Sequence, residues 1–339
     1  MHLSSSPSPA ETSAEIQAEG AVHSGHGSEA DTPEDTATRV RRTRGAAAES
    51  AAAESTGAEP ARQRIEVPTP SVVRARERGR IAEQNPVVLR TEQLTKVYGS
   101  VVAANEVSIS VHAGSLTGIV GPNGAGKTTT LSMISGLLRP SSGRVSVGSV
   151  DVWSDGPAAK RLIGTLPDRL RLFDRLTGAQ LLYYSGVLHG VAEAEVAARS
   201  AELAEAFGLE SALDRLVSDY SAGMQKKVAL ACSMIHAPEV LVLDEPFEAI
   251  DPVSAANVTE ILEKFVAGGG SVVLSSHSLE LIQRVCDHVA IIANGSVIAQ
   301  GTVDAVRDGL SLEERFRSLV GENESKKGLQ WLHGSSDSE

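Results

Sequence analysis

The chain has 339 residues, a formal net charge of −12 at pH 7 and only two cysteines. The acidic balance argues against broad nucleic-acid binding, because such binding needs a basic face to neutralise phosphates, and we expect no nucleic-acid partner. No stretch of the sequence approaches the roughly 20 apolar residues that span a bilayer. If the protein works at a membrane, another chain must supply the spanning helices.

Residues 1–85 contain no aromatic residue and consist mostly of Ala, Glu, Ser, Arg, Thr, Gly and Pro. Such a segment cannot bury enough apolar surface to offset its loss of conformational entropy, so we predict a disordered, low-complexity extension. Its basic clusters at 39–44 and 74–80 could bind anionic lipid, but we favour a solvated arm. The folded domain is expected at 86–308, followed by a short tail at 309–339.

From residue 87 the sequence alternates apolar and polar positions, in VVLRTEQLTKVYG and then in VVAANEVSISVHAG. This period of two predicts antiparallel strands, which we expect to form a small β subdomain. Tyr98 lies at the end of the first strand, next to a glycine. The apolar run SLTGIV at 115–120 then predicts a buried strand.

The stretch GPNGAGKTT at 121–129 lies between that strand and the predicted helix TTLSMISGLL. A glycine loop in this context, GxxxxGK followed by Ser or Thr, is typical of a phosphate cradle, because inward-pointing amides and a helix N-terminus bind anions. We expect Lys127 to contact the β- and γ-phosphates of a nucleoside triphosphate and the Thr128 hydroxyl to hold Mg²⁺. The predicted site comprises Gly121, Asn123, Gly124, Gly126, Lys127, Thr128 and Thr129.

The next predicted strand ends at Leu166, and Pro167 places Asp168 in a loop. Residues 169–222 form an all-helical insertion, in which Thr177 and Gln180 have the spacing of a capping box and Gly208 ends a helix. Strands alternate with helices over the rest of the chain, which predicts an α/β fold with a mostly parallel sheet. Asn294 and Gly295 predict a type I′ hairpin near its end.

The segment YSAGMQKK at 220–227 opens another helix. Ser221 and the backbone of Ala222 and Gly223 would form a second anion-binding helix terminus, which the first phosphate site has no room to use. Two anion sites for one nucleotide predict a dimer in which each nucleotide lies between the two copies. The alternative is that Ser221 only caps its helix.

Functional side chains follow two more strands: Asp244 and Glu245 after VLVL, and His277 after SVVLSS. The carboxyl ends of parallel strands share one edge of a sheet, so these groups and the phosphate loop are expected to meet there. Asp244 would hold Mg²⁺ with Thr128, and Glu245 would orient and deprotonate the attacking water. His277 would contact the γ-phosphate and hold Glu245 in place.

Other titratable residues receive structural interpretations. Cys232 and Cys286 lie in apolar helical patterns and are expected to be buried free thiols. His112, His236 and His288 are expected to be structural residues.

Together these motifs resemble the ATP-binding subunit of an ABC transporter over residues 87–308, with a P-loop NTPase core. In that likeness GPNGAGKTT is the Walker A motif, LVLDE is Walker B, YSAGM stands for the signature LSGGQ and EAID at 248–251 for the D-loop. His277 is then the switch histidine, and Tyr98 matches the aromatic residue that stacks on adenine.

Three positions depart from the family pattern. Asp168 stands where the family has a glutamine that senses Mg²⁺ and the membrane partner, and its charge favours the metal but disfavours the γ-phosphate. Ala222 replaces a signature glycine. Glu248 replaces the serine of the usual D-loop, which would change the contact across the dimer.

The resemblance implies an ATPase that forms a homodimer or heterodimer of ATP-binding subunits and drives a separate permease at the cytoplasmic face of the membrane. Export is favoured by the likeness of the LPD turn and of SLEERFRSLVG to exporters. Leu170, Leu172 and Phe173 are candidates for the permease contact, whereas Tyr183 and Tyr184 are expected to pack between helices. The alternatives are a soluble ABC ATPase acting on ribosomes or DNA, and a P-loop kinase.

Overall fold

In the computed structural model of the protein, residues 70–324 are described. The strands are β1 Val87–Tyr98, β2 Val101–Val107, β3 Ser110–His112, β4 Leu116–Val120, β5 Ser142–Val147, β6 Val150–Asp151, β7 Ile163–Leu166, β8 Val240–Leu243, β9 Ser271–Ser275, β10 His288–Ala293 and β11 Ser296–Thr302. The helices are α1 Pro70–Ala82, α2 Lys127–Ile134, α3 Gly156–Leu162, α4 Gly178–Leu188, α5 Glu193–Phe207, α6 Ala222–Met234, α7 Pro252–Ala267, α8 Leu279–Val285, α9 Val303–Arg307 and α10 Leu312–Glu324. Short 3₁₀ turns occupy Glu210–Ala212 and Val217–Asp219.

The strands form two sheets. The first has the order β2-β1-β5-β6, with β3 also paired to β1, and all of its pairs are antiparallel. The second has the order β11-β10-β4-β9-β8-β7, in which every pair except β10 with β11 is parallel. The predicted α/β fold, with a mostly parallel sheet and an antiparallel β subdomain, is confirmed.

The parallel sheet is covered on both faces, which explains why its strands are apolar throughout. Along β4, Leu116 and Val120 pack into the cluster formed with the helical side of the domain, whereas Ile119 packs into the cluster shared with α2 and the antiparallel sheet. The same alternation holds in β8 and β9. The sheet is therefore a fixed platform whose carboxyl edge can present side chains with little freedom of movement.

The predicted helical insertion is present between β7 and α6. Thr177 Oγ1 accepts from the Gln180 amide while Gln180 Oε1 accepts from the Thr177 amide, which completes the predicted capping box at the start of α4. Gly208 ends α5 in the left-handed region, at φ 64°. Both observations confirm the helix boundaries that the sequence predicts at these two residues.

The prediction that disorder extends to residue 85 is wrong for its last part. Pro70–Ala82 forms α1, and within it Ala75 and Ala82 are buried at 3% and 1% exposure. Arg78 forms an ion pair with the buried Asp287, with 2.7 Å between Nε and Oδ1. The helix thus packs through small side chains and one arginine, which a search for apolar residues does not detect. The basic cluster at 74–80 lies within α1, so the solvated arm predicted for it is wrong. The cluster at 39–44 and the other residues before 70 lie outside the described residues.

The predicted tail also begins with a folded element. Leu312 is fully buried and Val320 is 8% exposed, so that α10 packs on the domain rather than trailing from it. Residues 325–339 lie outside the part of the chain that the structure describes. Within residues 70–324, none of the helices has the length and apolar character needed to cross a bilayer.

Candidate active site

The loop between β4 and α2 is shaped by glycines that touch other backbone. Gly126 has φ 103°, and a Cβ there would lie 2.4 Å from the Ala103 carbonyl oxygen. At Gly121 a Cβ would lie 2.2 Å from the Ile292 carbonyl oxygen. Any side chain at either position would force the loop away from β2 or β10.

The loop curls around a cationic centre at the start of α2. Gly126 occupies the N-cap position and supplies no side-chain hydrogen bond, so the first N–H groups of α2 are available to an anion. Lys127 Nζ donates to the carbonyl oxygens of Gly121 and Pro122, at 2.8 and 3.3 Å. The loop is braced by the β10–β11 turn, where the Gly295 amide donates to the Ala125 carbonyl at 3.0 Å.

That turn has the backbone that the sequence predicts. Asn294 and Gly295 both have positive φ, at 49° and 80°, as a type I′ turn requires. The hairpin therefore does more than add the edge strand β11 to the sheet, because its tip holds the phosphate loop in position.

A cavity of about 640 Å³ opens beside the loop. Its lining brings together residues from the phosphate loop and from the ends of β7, β8 and β9, as expected for one sheet edge. The lining residues are Ala103, Asn123, Gly124, Ala125, Gly126, Lys127, Thr128, Thr129, Asp168, Glu245, Glu248 and His277. Of the predicted site residues, Tyr98, Gly121, Ser221, Ala222, Gly223 and Asp244 are not part of this lining.

Asp244 lies beneath the cavity, at 4% exposure. Its Oδ1 accepts from Ser275 Oγ at 2.5 Å, and the same Ser275 oxygen accepts from the Glu245 amide at 2.8 Å. Burial raises the pKa of Asp244, while the side chains of Ser275 and Thr128 oppose that shift. Thr128 and Asp244 therefore present two hard oxygen atoms side by side.

Ser275 is a residue that the sequence analysis missed. It is the last residue of β9 and stands two positions before His277. Its position at a strand end was the available signal, but nothing in the sequence links it to Asp244 and Glu245.

Glu245 and His277 are in contact. His277 Nδ1 lies 3.0 Å from Glu245 Oε2, and the His277 amide donates to the same oxygen at 3.4 Å. The Glu245 side chain is 15% exposed, whereas that of His277 is 67% exposed. Glu245 has φ 47°, a left-handed conformation that is costly for a non-glycine residue and is found at functional sites. The carboxylate is thus held at the cavity wall by its neighbours.

Asp168 and Glu248, two of the departures from the family pattern, line this same cavity. Glu248, which is expected to change the contact across a dimer, also lines the cavity of its own chain. Lys226 of α6, which the sequence analysis did not single out, is 4% exposed. Burial lowers the pKa of Lys226, and the carboxylates of Glu248, Asp168, Asp244 and Glu245 oppose the shift.

Tyr98 lies at the end of β1 and is 49% exposed. Its ring is approached by the Lys96 ammonium, with 5.2 Å from Nζ to the ring centroid. The ring is therefore available for stacking on a base, although the structure does not bring it into the wall of the phosphate cavity.

Ser221 caps α6 by accepting from the Met224 amide, at 3.3 Å. Ala222 follows in the first turn of the helix with ordinary negative φ, so its methyl group requires no glycine-like backbone. Both residues are exposed and lie outside the cavity of their own chain. This helix terminus is open to a partner.

A second, more apolar groove of about 360 Å³ lies between the loop that follows β7 and helix α4. Leu170, Leu172 and Phe173 line it, and Phe173 is 68% exposed. The expectation that Tyr183 and Tyr184 pack between helices is wrong, because they are 37% and 48% exposed and Tyr184 lines the groove.

The cysteines and the remaining histidines behave as structural groups. Cys232 and Cys286 are free, and burial raises the pKa of both thiols, to about 12 for Cys232. His236 stacks on His189 with 4.1 Å between ring centroids, and burial lowers its pKa to about 4. His288 is buried against His112, which confirms the structural interpretation.

Comparison with known proteins supplies the family. The sequence model of the ABC transporter family matches residues 104–248. The linearmycin resistance ATP-binding protein LnrL of Bacillus subtilis is 35% identical over 215 residues, which are 63% of this chain and 69% of that protein. The daunorubicin/doxorubicin resistance ATP-binding protein DrrA of Streptomyces peucetius is 37% identical over 222 residues, which are 66% of this chain and 67% of DrrA.

Solved structures agree with these matches. The structure of an ATP-binding subunit of an ABC transporter is similar with TM-score 0.65 and 31% identity, covering 68% of this chain and 99% of that one. A dimeric ATP-binding cassette bound to ADP and Pi is similar with TM-score 0.59 and 22% identity, covering 63% of this chain and 98% of its own. The second likeness concerns the fold alone.

Proposed function

The chain belongs to the ABC transporter family as an ATP-binding subunit and is an ATPase, and from this membership we propose that it drives a separate membrane permease. The proposal places the protein at the cytoplasmic face of the membrane, attached through that permease. One observation carries it: an apolar groove is lined by Pro167 and Leu170, on either side of Asp168, which itself lines the nucleotide cavity. A partner seated in the groove would thus contact the same loop that faces the nucleotide.

The triphosphate would lie on the phosphate loop, with the amides of α2 and Lys127 facing its phosphates. Thr128 and Asp244 would hold Mg²⁺, and Asp168 adds a nearby carboxylate. Among the described residues no three His, Cys, Asp or Glu side chains form a complete metal site. Mg²⁺ keeps several waters and is bound largely through substrate phosphates, so it needs only one or two carboxylate ligands from the protein. When bound, the ion supplies charge neutralisation at the phosphates.

Hydrolysis would use Glu245 and His277. The oxygen of a water molecule forms a bond to the γ-phosphorus while a proton of that water passes to the Glu245 carboxylate. The bond between the γ-phosphorus and the bridging oxygen breaks, and ADP leaves with the electron pair. His277 holds Glu245 through the 3.0 Å contact and presents its exposed ring edge towards the cavity. Tyr98 would stack on adenine.

We propose further that two copies close on ATP. The cavity of one chain has polar walls on the phosphate-loop side, whereas Ser221 and Ala222 present an exposed helix N-terminus elsewhere on the surface. A second copy, or a related ATP-binding subunit, would place that terminus against the γ-phosphate.

Cross-linking tests this dimer. Gly124 is a poor site for cysteine because its φ is 77°, so the neighbouring, exposed Asn123 is preferable. Asn123→Cys and Ala222→Cys, introduced into separate copies, should form a disulfide-linked dimer in the presence of ATP when Glu245→Gln slows turnover. Cys286 is buried and Cys232 is partly buried, and the raised pKa of both native thiols should keep them from competing. Each single-cysteine variant serves as a control, and no cross-link at saturating ATP would contradict the closed dimer.

Copurification tests whether the chain associates with a membrane permease. Full-length protein carrying an affinity tag is expected to retain an integral membrane protein in detergent, and Phe173→Asp should abolish that association while leaving nucleotide binding intact. Val73→Asp is a matched control, since Val73 is an exposed apolar residue on α1, at 49% exposure. Ribosomes or DNA in place of a membrane protein would favour the soluble ATPase, and equal loss with both variants would remove the groove from the proposal.

Export of drug-like molecules is the finer part of the proposal, and it is supported by relatives named as resistance proteins. Everted vesicles that contain the chain and its captured partner should accumulate doxorubicin when ATP is added. Accumulation only in right-side-out vesicles that enclose ATP would indicate import instead. Uptake in neither orientation would count against this substrate class without affecting the ATPase assignment.

A further inference from the structure

A buried lysine lies close to the nucleotide cavity without a role in the site described above. Lys226 belongs to α6, the helix that Ser221 begins, and it is 4% exposed. Within the described part of the chain it forms no direct ion pair. A lysine ammonium is rarely buried unless negatively charged groups lie near it. We therefore expect carboxylates close to Lys226.

Two contacts place α6 against the acidic wall of the cavity, and a third joins the two strands that end there. A Cβ on Gly223 would lie 3.5 Å from the Ala249 carbonyl oxygen, so the first turn of α6 abuts the turn that carries Glu248. α6 also packs against β7, the strand that leads into Asp168. The Asp244 amide donates to the Leu166 carbonyl at 2.8 Å, which brings the ends of β7 and β8 together.

The wall is unusually acidic for a site that receives a triphosphate. Asp168, Glu245 and Glu248 line the cavity and Asp244 lies beneath it, while Lys127 is the only lysine or arginine in the lining. Two of these carboxylates, Asp168 and Glu248, replace the neutral residues of the family pattern noted above. Each added carboxylate repels the incoming phosphates, and this repulsion is strong where water is excluded.

We propose that Lys226 is a positioning residue that draws Glu248 and Asp168 towards α6 and neutralises part of their charge, so that the triphosphate can occupy the cavity. The lysine and the two acidic replacements then form one unit. The inference rests on the nucleotide site proposed above and adds the group that makes its acidic wall compatible with ATP.

Equilibrium binding of fluorescent ATP and ADP analogues to the purified full-length chain, with Mg²⁺, tests this assignment. Lys226→Met keeps the length of the side chain but removes its charge, and we expect Kd for the ATP analogue to rise roughly tenfold. The rise should be smaller for the ADP analogue, which lacks the γ-phosphate. Lys226→Arg should restore binding to within about threefold, and the same ordering should appear in KM rather than kcat.

A second substitution that restores ATP affinity would show that Lys226 acts through its charge rather than through its packing. Adding Glu248→Ser to Lys226→Met should recover most of the lost affinity, because it removes the carboxylate that Lys226 balances. Lys264→Met is the matched control: its ammonium pairs with Glu260 on the exposed face of α7, and its loss should leave Kd unchanged.

Equal weakening of ATP and ADP, no recovery with Glu248→Ser, or failure of Lys226→Arg to restore binding would overturn the inference in favour of a packing role. If Lys226→Met does not fold, Glu248→Ser alone decides, since it should tighten ATP binding several-fold, and unchanged or weaker binding would overturn the inference. Absence of ATP binding by the unmodified chain would instead refute the nucleotide site itself.

Discussion

The attachment of α1 provides a sharp test of the energetics of this fold. Arg78 Nε lies 2.7 Å from Asp287 Oδ1, and Arg78 Nη2 donates to the Val285 carbonyl at 2.9 Å. The second Asp287 oxygen accepts from the Leu116 amide at 2.7 Å, at the start of the strand that leads to the phosphate loop. Exposure of the two side chains is 19% for Arg78 and 0% for Asp287. We therefore expect Arg78→Met to destabilise the domain and to release α1.

The size of the effect follows from burial. Removing one partner of a buried ion pair costs about 3–5 kcal/mol, because the other charge is left without compensation. Arg78 keeps part of its side chain in water, so we place the loss at about 3 kcal/mol at pH 8.5. Arg74 gives the matched control: it pairs with Glu263 at 3.9 Å and is 66% exposed. Arg74→Met should cost less than about 1 kcal/mol.

The pH dependence has a defined sign. Burial raises the pKa of Asp287 to about 7, although Arg78 opposes the shift. Because this value exceeds that of the unfolded chain, the contribution of Asp287 to stability is full below about pH 4 and is lost as the pH rises to about 7. Arg78 is needed most where the carboxylate is ionised, so Arg78→Met should cost more at pH 8.5 than at pH 5.5.

Urea denaturation of the four proteins of the Arg78→Met and Asp287→Asn cycle, at both pH values, measures this coupling. In the Asp287→Asn background the arginine should contribute much less, since no carboxylate remains to be compensated. Two results would refute the proposed coupling. One is that Arg78→Met lowers the free energy of unfolding at pH 8.5 by no more than Arg74→Met does. The other is that Arg78→Met lowers it by the same amount with and without Asp287.

Three further predictions concern single side chains. Glu245→Gln should bind ATP but slow phosphate release by about 10²- to 10⁴-fold, and unchanged turnover would remove Glu245 from the proposed role. Tyr98→Ala should weaken ATP and ADP binding equally, by roughly fivefold to 150-fold, because a stacked base contributes about 1–3 kcal/mol; Tyr98→Phe should retain binding in the same titration. His236→Gln should reduce the loss of stability measured by urea denaturation as the pH falls from 6.5 to 4, because burial lowers the pKa of His236 to about 4 and favours its neutral form. An identical pH profile for the variant would contradict that assignment.

The sequence predicted well those elements whose causes are local. Apolar runs with glycine or proline at their ends identified the strands of the parallel sheet, and the spacing of Thr177 and Gln180 identified the start of α4. The phosphate loop combines glycine placement with a strand and a helix that are contiguous in the chain. In each case the residues that determine the structure lie within a few positions of one another, so one stretch of sequence contains the whole cause.

The elements that were missed depend on contacts between distant residues. α1 has almost no apolar stripe, and it is held by Ala75, Ala82 and an arginine whose partner lies far along the chain. The prediction of disorder was based on the low content of apolar residues, which does not reveal a buried ion pair. Ser275 was missed for a similar reason, since only the pairing of β8 with β9 brings its hydroxyl to Asp244.

The effect of a departure from the family pattern on function also depends on residues that are distant in the sequence. Considered alone, Asp168 and Glu248 each add a charge that should weaken nucleotide binding, and each would be judged harmful. The fold brings both to one cavity wall, and both carboxylates interact electrostatically with the buried Lys226, so their combined effect on binding differs from the sum of two separate substitutions. A substitution at an active site is therefore best interpreted together with the charged groups that the fold brings to the same cavity, because the electrostatic cost of one charge depends on those around it.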